Sequence, residues 1–361
     1  MLITIIAGAR PNFMKIAPII HQILHEKKQG INIDYRLVHT GQHYDEKLSA
    51  IFFKELNIPK PHINLEIGSG TQAEQTGAIM ISFEKEMIKN PTDYVLVVGD
   101  VTSTMACSIV AKKLKTKVIH VEAGIRSFDL TMPEEINRMV TDAITDYFYV
   151  TSEIAKENLK NNGIAEESIV FVGNTMIDTL IANFDKLQRP VVFDELSLIN
   201  KNYIVLTLHR PANVDEEFKL KLFLEAIVFS SKGLPIIFPI HPRTKIILNK
   251  LKIQYQNLHF LDPLGYLEFN YLVKNALCVI TDSGGITEET TYMKIPCLTL
   301  RDNTERPETV TIGTNELVGT NPNAIRDALQ KVHDNNWKKG GIPLFWDGKT
   351  SERIISHILS L

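Results

Sequence analysis

The sequence has few of the features that mark several large classes of protein. Its three cysteines, Cys107, Cys278 and Cys297, are odd in number, widely spaced and mostly in apolar surroundings. This excludes a disulfide framework and a cysteine zinc site, and it favours free buried thiols in a reducing cytosol. A net charge of −3 gives no reason to expect a nucleic acid or an anionic membrane as partner. No apolar run is long enough to span a bilayer. We therefore expect a cytoplasmic protein.

The start of the chain lacks two further signals. Residues 1–8 have no basic n-region and are typical of a first strand rather than of a signal peptide. The turn that follows has a single glycine, Gly8, where a dinucleotide fingerprint needs three, which argues against NAD. The same turn has two cations beside a helix start, Arg10 and Lys15. They suit a phosphate-bearing ligand, and solvated surface charge is the alternative.

What the 361 residues do contain is a long alternation of strand and helix patterns. Strands are predicted in a first series at residues 2–7, 35–39, 94–98, 117–121, 147–150 and 169–172, and in a second at 203–208, 235–239, 258–261, 277–281, 296–299 and 316–318. Such alternation predicts parallel sheets covered on both faces. The weakly periodic segment 188–202 reads as a linker. We predict an α/β fold of two similar lobes, 1–187 and 188–348, and a short final helix at 349–361 that could return to cover the first lobe.

One Gly-rich turn stands out in the second series. An apolar run at 277–280 is followed by Thr281-Asp282-Ser283-Gly284-Gly285, and a helix pattern then opens with Glu288 and Glu289 on its early turns. Backbone N–H groups and the positive end of a helix dipole make such a turn an anion site, for which a phosphate or diphosphate is the natural ligand. A glycine-rich turn required only for packing is the alternative.

Carboxylates follow predicted strands in the first series. Glu122 comes directly after a buried strand, and Asp100 comes one glycine after another; parallel α/β sheets place ligands at that edge. Capping the next helix is the alternative role for Asp100. Glu134 begins a further helix and shares a face with Arg138, so a surface ion pair is the alternative for that residue.

The second series has its own polar strand ends. His209 ends a buried strand, and a structural histidine is the alternative to a functional one. His241 repeats the arrangement after the next strand. Phe269 lies in a predicted helix, where it either belongs to the core or stacks on a base. Arg306, in a charged loop, is a candidate phosphate-binding guanidinium.

Ten motifs of this chain occur in an order that identifies a family. They are Gly8-Ala9-Arg10-Pro11 with Lys15, His39-Thr40-Gly41-Gln42-His43, Gly99-Asp100, His120-Val121-Glu122-Ala123-Gly124, Pro133-Glu134-Glu135-Ile136-Asn137-Arg138, Gly173-Asn174-Thr175, His209-Arg210, Thr281-Asp282-Ser283-Gly284-Gly285, Thr304-Glu305-Arg306-Pro307-Glu308 and Trp346-Asp347-Gly348. The chain closely resembles the non-hydrolysing UDP-N-acetylglucosamine 2-epimerase family over its whole length. The resemblance implies a GT-B-like fold, with two Rossmann-like lobes and an active site in the cleft between them.

The resemblance also implies roles for individual residues. The positions that the family uses for chemistry are matched by Asp100, Glu122, Glu134 and His209. A second group would bind the UDP-sugar: Ser283, Gly284 and Gly285 at the phosphates, Glu289 at the ribose, Arg10, Lys15 and Arg306 at the diphosphate, and Phe269 near the base. The family's reaction eliminates UDP to give a 2-acetamidoglucal and adds it back with the opposite configuration at C2. No cofactor or metal is expected, and the family suggests a homodimer.

Departures from the family pattern keep other functions open. Val101 stands where a Thr is frequent, Ala212 where a Glu is common, and Leu264 where a Gln is common. Ser69 replaces an arginine with which some members bind a second UDP-GlcNAc, which puts such activation in doubt. The alternatives are a 2-epimerase of a related UDP-sugar (a 2,3-diacetamido uronic acid or a 6-deoxy sugar), a hydrolysing 2-epimerase, a GT-B glycosyltransferase and a nucleotide-sugar sensor.

Overall fold

The computed structural model describes residues 1–41, 46–240, 242–251 and 253–361, with the side chains of residues 10, 46–50, 211, 212, 242, 243 and 249 left out. Gln42, His43 and His241 from the sequence motifs therefore lie outside the described residues, as does the side chain of Arg10. The chain divides into two compact units, one of Met1–Ala182 with Leu344–Leu361 and the other of Asn183–Pro343.

The first unit is built on a seven-stranded parallel sheet. Its elements are β1 (Leu2–Ala7), α1 (Arg10–Lys28), β2 (Asp34–His39), α2 (Glu46–Glu55), β3 (Ile63–Asn64), α3 (Gln72–Lys89), β4 (Tyr94–Val98), α4 (Thr102–Lys113), β5 (Lys117–Val121), α5 (Pro133–Ile144), β6 (Tyr147–Val150), α6 (Glu153–Asn161), β7 (Ile169–Phe171) and α7 (Thr175–Asn183). Every residue of β4 is buried, as expected of a parallel strand covered on both faces. One of those faces packs on apolar residues of α3 and α4, among them Ile79, Phe83 and Ala106.

The second unit is built on a six-stranded parallel sheet. Its elements are α8 (Val191–Glu195), β8 (Ile204–Thr207), α9 (Pro211–Val214), α10 (Glu217–Ser230), β9 (Ile236–Pro239), α11 (Pro242–Leu251), β10 (Leu258–Leu261), α12 (Tyr266–Asn275), β11 (Cys278–Thr281), α13 (Gly284–Met293), β12 (Cys297–Thr299), α14 (Pro307–Thr311), β13 (Asn315–Leu317) and α15 (Pro322–His333). Alternate residues of its strands face two separate apolar clusters: Ile204 and Leu206 pack in one, Tyr203 and Val205 in the other. The predicted α/β class with two parallel sheets is confirmed.

Both sheets reverse their strand order once, and this places the functional turns. The first sheet runs β3-β2-β1-β4-β5-β6-β7 and the second β10-β9-β8-β11-β12-β13. The order reverses between β1 and β4 in the first unit and between β8 and β11 in the second. At such a switch point the loops after neighbouring strands diverge and leave a crevice, where α/β proteins bind ligands.

The segment expected to be a linker belongs to the core of the second unit. Residues 188–202 contain α8, and Val192, Phe193 and Leu198 are buried in a cluster with Tyr203. Their weak periodicity hid this because one short helix and its flanking turns bury only a few apolar side chains.

The chain ends in α16 (Thr350–Ser360), which packs on α1 within the first unit. Asp178 of α7 fixes the start of α16. Its carboxylate accepts hydrogen bonds from the backbone N–H of Thr350 at 3.1 Å and of Ser351 at 2.8 Å. These N–H groups have no partner within the helix, so a carboxylate there satisfies them.

The cysteines are buried and free, as predicted, and burial raises the pKa of each thiol. Within the described ranges, no helix combines the length and apolarity needed to cross a bilayer. The same residues include no cluster of three or more His, Cys, Asp or Glu side chains placed to hold a metal ion.

Candidate active site

Glu122 lies in the turn after β5 and forms an ion pair with a lysine of α1. Its carboxylate oxygen is 2.7 Å from the Lys15 ammonium nitrogen, and the side chains are 2% and 12% exposed. Glu122 has a φ of +69°, a conformation that an L-residue with a long side chain seldom adopts. The pair closes over Gly99, where a Cβ atom would lie 3.1 Å from the lysine nitrogen. A glycine at the end of β4 thus leaves room for the lysine.

Asp100, in the turn after β4, is held by two residues of α5. Its carboxylate accepts hydrogen bonds from Arg138 Nε at 3.0 Å and Nη2 at 2.7 Å. Its main-chain carbonyl accepts another from Asn137 at 2.9 Å. The Asp100 side chain keeps 32% of its surface exposed, whereas that of Arg138 is 5% exposed. A fixed cation therefore orients a carboxylate that solvent, or a ligand, can still reach.

The two glutamates that open α5 have different environments. Glu134 is exposed, and Glu135 is buried. Glu135 accepts hydrogen bonds from the backbone N–H groups of Ser127 and Phe128 at 2.9 and 3.2 Å, and it forms an ion pair with Arg138. The sequence reading named Glu134 and missed Glu135. The spacing of Glu135 and Arg138 could have indicated this pair, because the two residues are three apart and both lie on the buried face of α5.

Asn12 fixes the turn after β1. Its side-chain oxygen accepts hydrogen bonds from the N–H groups of Gly8 and Ala9 at 3.0 and 2.9 Å, and its nitrogen donates to the Val98 carbonyl at 3.1 Å. One side chain thus joins the ends of β1 and β4. Arg10 is the first residue of α1, and its side chain lies outside the described residues.

In the second unit, the turn after β11 leads directly into α13. The Ser283 N–H donates to the Thr281 hydroxyl at 3.0 Å, and α13 begins at Gly284. A Cβ atom on Gly284 would meet nothing within 4 Å. Packing within the chain therefore gives no reason for a glycine there, whereas close approach of a ligand to the backbone does. This favours the anion site over the packing alternative.

Asp282 is the buried centre of this turn and was not singled out from the sequence. It accepts hydrogen bonds from the backbone N–H groups of His209 and Arg210 and from the Asn213 side chain, and it lies 2.8 Å from His209 Nδ1. Burial alone would raise its pKa, but the hydrogen bond and charge of His209, with the Arg210 and Asn213 contacts, lower it below the ordinary value. His209 itself is half exposed, with a side-chain exposure of 49%.

Glu289 is a buried carboxylate on the second turn of α13. The Asn270 side chain donates to it at 3.3 Å, and the Tyr266 hydroxyl is a second hydrogen-bond partner. Burial raises its pKa to about 7, and the neighbouring charge of Glu288 adds to the rise. Glu289 thus lies close to the balance between its neutral and charged forms at neutral pH.

Arg306 and Phe269 are the remaining candidate residues of the second unit, and they are buried and half buried respectively. Arg306 is 8% exposed and forms an ion pair with Glu288. Nearby in the sequence, Arg301 and Glu305 form a buried bidentate pair, with nitrogen-oxygen distances of 2.6 and 2.7 Å. Phe269 is half buried and packs against the apolar cluster around Tyr203.

The family model described as UDP-N-acetylglucosamine 2-epimerase matches residues 25–359. The chain belongs to this family.

Relatives in the epimerase family cover the whole chain. A UDP-N-acetylglucosamine 2-epimerase of Methanocaldococcus jannaschii is 45% identical over 98% of both chains. A UDP-2,3-diacetamido-2,3-dideoxy-D-glucuronate 2-epimerase of Pseudomonas aeruginosa is 35% identical over all of both chains. A crystal structure of the M. jannaschii enzyme in complex with UDP-GlcNAc and UDP superposes with a TM-score of 0.89 at 44% identity, covering all of both chains. The GT-B-like class of two Rossmann-like units is thereby confirmed.

The four departures from the epimerase pattern lie at positions with different environments. Val101 is the N-cap residue of α4 and makes no side-chain cap. Leu264 packs against the apolar cluster that contains Phe269. Ser69 is exposed, and the side chain of Ala212 lies outside the described residues. The Lys15–Glu122 and Arg138–Asp100 ion pairs involve none of these positions.

Proposed function

We propose that this protein is a non-hydrolysing UDP-GlcNAc 2-epimerase that interconverts UDP-GlcNAc and UDP-ManNAc. The observation that carries the proposal is the pair of carboxylates at adjacent strand ends, Asp100 and Glu122, each oriented by its own cation. Mere binding of an anionic nucleotide sugar gives no reason to place carboxylates there, whereas moving a proton does. Family membership supplies the substrate class.

The second unit would hold the nucleotide. The unblocked backbone at Gly284, at the start of α13 between Ser283 and Gly285, suits the diphosphate. Glu289, near its titration midpoint, suits ribose hydroxyls, because its ionised form accepts two hydrogen bonds. Arg306 would add positive charge from beside this turn, and Arg10 and Lys15 are the further cations proposed for the diphosphate. Phe269 would lie near the base.

The first step breaks two bonds of the substrate. A base removes the proton from C2, the electrons of that C–H bond form the C1–C2 double bond, and the C1–O bond breaks to release UDP. The products are 2-acetamidoglucal, UDP and a protonated base. The C2 proton is not acidic, so the step requires a positioned base and stabilisation of the leaving diphosphate.

The second step reverses these events on the other face of C2. An acid delivers a proton to C2, and a UDP oxygen re-forms the bond to C1. Because the proton leaves one face and returns to the opposite one, at least two acid–base groups are needed. Asp100, Glu122 and Glu134 are the proposed groups, and His209, oriented by Asp282, would assist at the phosphate or sugar.

A related UDP-sugar is the second candidate substrate, because a relative 35% identical over the whole chain is named for UDP-2,3-diacetamido-2,3-dideoxy-D-glucuronate. Chromatography of reactions with each UDP-sugar separates the possibilities. We expect UDP-GlcNAc to give a stable mixture with UDP-ManNAc. Free UDP released in step with turnover would replace this proposal with a hydrolysing epimerase, and turnover of the uronic acid alone would change the substrate.

Three further proposals complete the assignment. The enzyme acts without an added metal or nicotinamide, so we expect full turnover after dialysis against a chelator.

It acts in the cytoplasm, in the synthesis of cell-surface polysaccharides. It works as a homodimer, for which light scattering would give twice the chain mass of 40.8 kDa.

A further inference from the structure

A buried network of charged side chains supports the two turns that carry the proposed catalytic carboxylates. At its centre is Asp142 of α5, which is 3% exposed. One of its oxygens is 2.7 Å from His120 Nδ1. The other is 2.7 Å from Arg126 Nη1 and accepts a hydrogen bond from the Gly124 N–H at 3.1 Å. Burial would raise the Asp142 pKa, but His120 and Arg126 more than compensate and lower it, so this carboxylate is ionised.

Each ring nitrogen of His120 lies beside an oxygen atom. Nδ1 faces the Asp142 carboxylate at 2.7 Å, and Nε2 faces the Gly99 carbonyl oxygen at 2.9 Å. Neither oxygen has a hydrogen to donate. A neutral imidazole has only one N–H, so it would leave a lone pair facing one of the two acceptors. Both acceptors are satisfied only when both ring nitrogens carry a hydrogen, as they do in an imidazolium.

The network holds three backbone positions in the left-handed region, which is unfavourable for the glutamate among them. Gly99, which precedes Asp100, has a φ of +67°, and Glu122 and Gly124 have φ values of +69° and +75°. A glutamate in this region persists only where the surrounding structure fixes it. His120 fixes the Gly99 carbonyl, and Asp142 fixes the Gly124 N–H, two residues beyond Glu122.

We propose that Asp142 and the imidazolium form of His120 are positioning residues that together set the places of Asp100 and Glu122. Both are almost fully buried, at 3% and 1% exposure, so they act through the backbone of the two turns rather than on the substrate. This inference rests on the proposed function, because it assigns these residues a purpose only if Asp100 and Glu122 move protons.

The protonation of His120 is tested in the unaltered protein. In ¹⁵N NMR spectra of imidazole-labelled enzyme at neutral pH, with His120→Gln used for assignment, we expect both ring nitrogens of His120 at imidazolium frequencies. A ring with one protonated and one bare nitrogen would overturn the proposal. This measurement needs no variant at Asp142 and remains decisive even if that variant fails to fold.

The positioning role is tested with a matched pair of variants. Asp146 also accepts a backbone N–H, that of Val118 at 2.7 Å, and pairs with Lys112 at 2.7 Å, but at the opposite edge of the same sheet. We expect Asp142→Asn to lower kcat about 10- to 100-fold, the effect of misplacing a reacting group by a fraction of an ångström to 1 Å. Its KM for UDP-GlcNAc and its affinity for UDP should stay within about twofold of the wild-type values. Asp146→Asn should keep wild-type kcat.

The controls separate this inference from the proposed function. A folded Asp142→Asn enzyme with kcat equal to that of Asp146→Asn, while Asp100→Asn and Glu122→Gln are inactive, would overturn only the positioning role. Near-normal turnover in Asp100→Asn and Glu122→Gln would instead overturn the proposed catalytic assignment. His120→Gln, whose amide nitrogen can still donate to the Gly99 carbonyl, should retain more turnover than His120→Ala.

Discussion

The Lys15 ammonium nitrogen lies 2.7 Å from a Glu122 carboxylate oxygen, although 107 residues separate the two in the sequence. The pair joins α1 to the turn after β5 and passes over the end of β4. Since Glu122 is 2% exposed and lies in a left-handed conformation, the lysine is both its charge partner and a constraint on its position.

Replacing Glu122 with glutamine should abolish most turnover without unfolding the protein. A glutamine can still accept a hydrogen bond from Lys15, but it cannot take a proton from C2. We expect Glu122→Gln to lower kcat by about 10²- to 10⁴-fold, the range for loss of a general base. Initial rates of UDP-ManNAc formation measure this, and near-normal rates would remove Glu122 from the catalytic residues.

The matched control for this variant is Asp34→Asn. Asp34 also pairs with a lysine of α1, Lys27, at 2.6 Å, but both side chains are about half exposed. An exposed pair contributes little to stability, and this one lies at the amino-terminal end of β2, away from the carboxyl ends that precede Asp100 and Glu122. Turnover should stay within about twofold of the wild type.

Asp100→Asn should reduce turnover while leaving nucleotide binding intact. The asparagine can keep one contact with Arg138, but it loses the negative charge and the ability to act as an acid or base. We expect kcat to fall by about two orders of magnitude, with the Kd for UDP unchanged by calorimetry. Asp93→Asn, at the opposite end of β4, should behave like the wild type; equal losses in both variants would contradict the assignment.

The raised pKa of Glu289 should make the free energy of unfolding depend on pH. Its pKa is about 7 in the folded protein, against an ordinary value of 4.5. Between these values the folded state binds the proton and the unfolded state does not. The contribution of Glu289 to the free energy of unfolding is therefore greatest below pH 4.5 and is lost as the pH rises to about 7. The loss is on the order of 3 kcal/mol.

Glu289→Gln isolates that contribution, because other groups titrate in the same range. The stability of the wild type minus that of Glu289→Gln, measured without nucleotide by urea unfolding, should decrease between pH 5 and pH 8. A difference that is independent of pH would show that Glu289 is already ionised at pH 5.

Asp178→Ala should weaken the docking of α16. The buried carboxylate accepts hydrogen bonds from the N–H groups of Thr350 and Ser351 and from the Ser351 hydroxyl. Leaving the two buried backbone N–H groups unpaired should lower the free energy of unfolding by roughly 2 to 4 kcal/mol. The urea midpoint should fall with an unchanged slope, whereas Asp327→Ala, at an exposed position of α15, should shift it by less than about 0.5 kcal/mol of stability.

The positions of the polar strand ends could be predicted from the sequence, but not their partners. Buried runs such as Tyr94–Val98 show where a strand ends, and Asp100 follows after a single glycine. Which cation meets that carboxylate depends on the packing of α5. Sequence spacing suggested a pair between Glu134 and Arg138, whereas the fold turns Arg138 inward toward Asp100 and Glu135.

In the second unit, too, the local elements could be predicted from the sequence, but the partners of individual side chains could not. The strand, glycine turn and helix around Gly284 were readable because each element is local. Asp282 and the Glu288–Arg306 pair were not, since their partners lie far away in the chain and are brought together by the sheet. Residues 188–202 were misread as a linker because a short buried helix has too few apolar residues to show a period.

Proton exchange at C2 tests the central claim most directly. Enzyme, UDP-GlcNAc and deuterated water, with no acceptor sugar, should give UDP-GlcNAc and UDP-ManNAc that both carry deuterium at C2, with no net release of UDP. Mass spectrometry and proton NMR measure both quantities. Epimers that retain the original hydrogen at C2, or UDP-GlcNAc that exchanges no hydrogen at all, would contradict the elimination and re-addition mechanism.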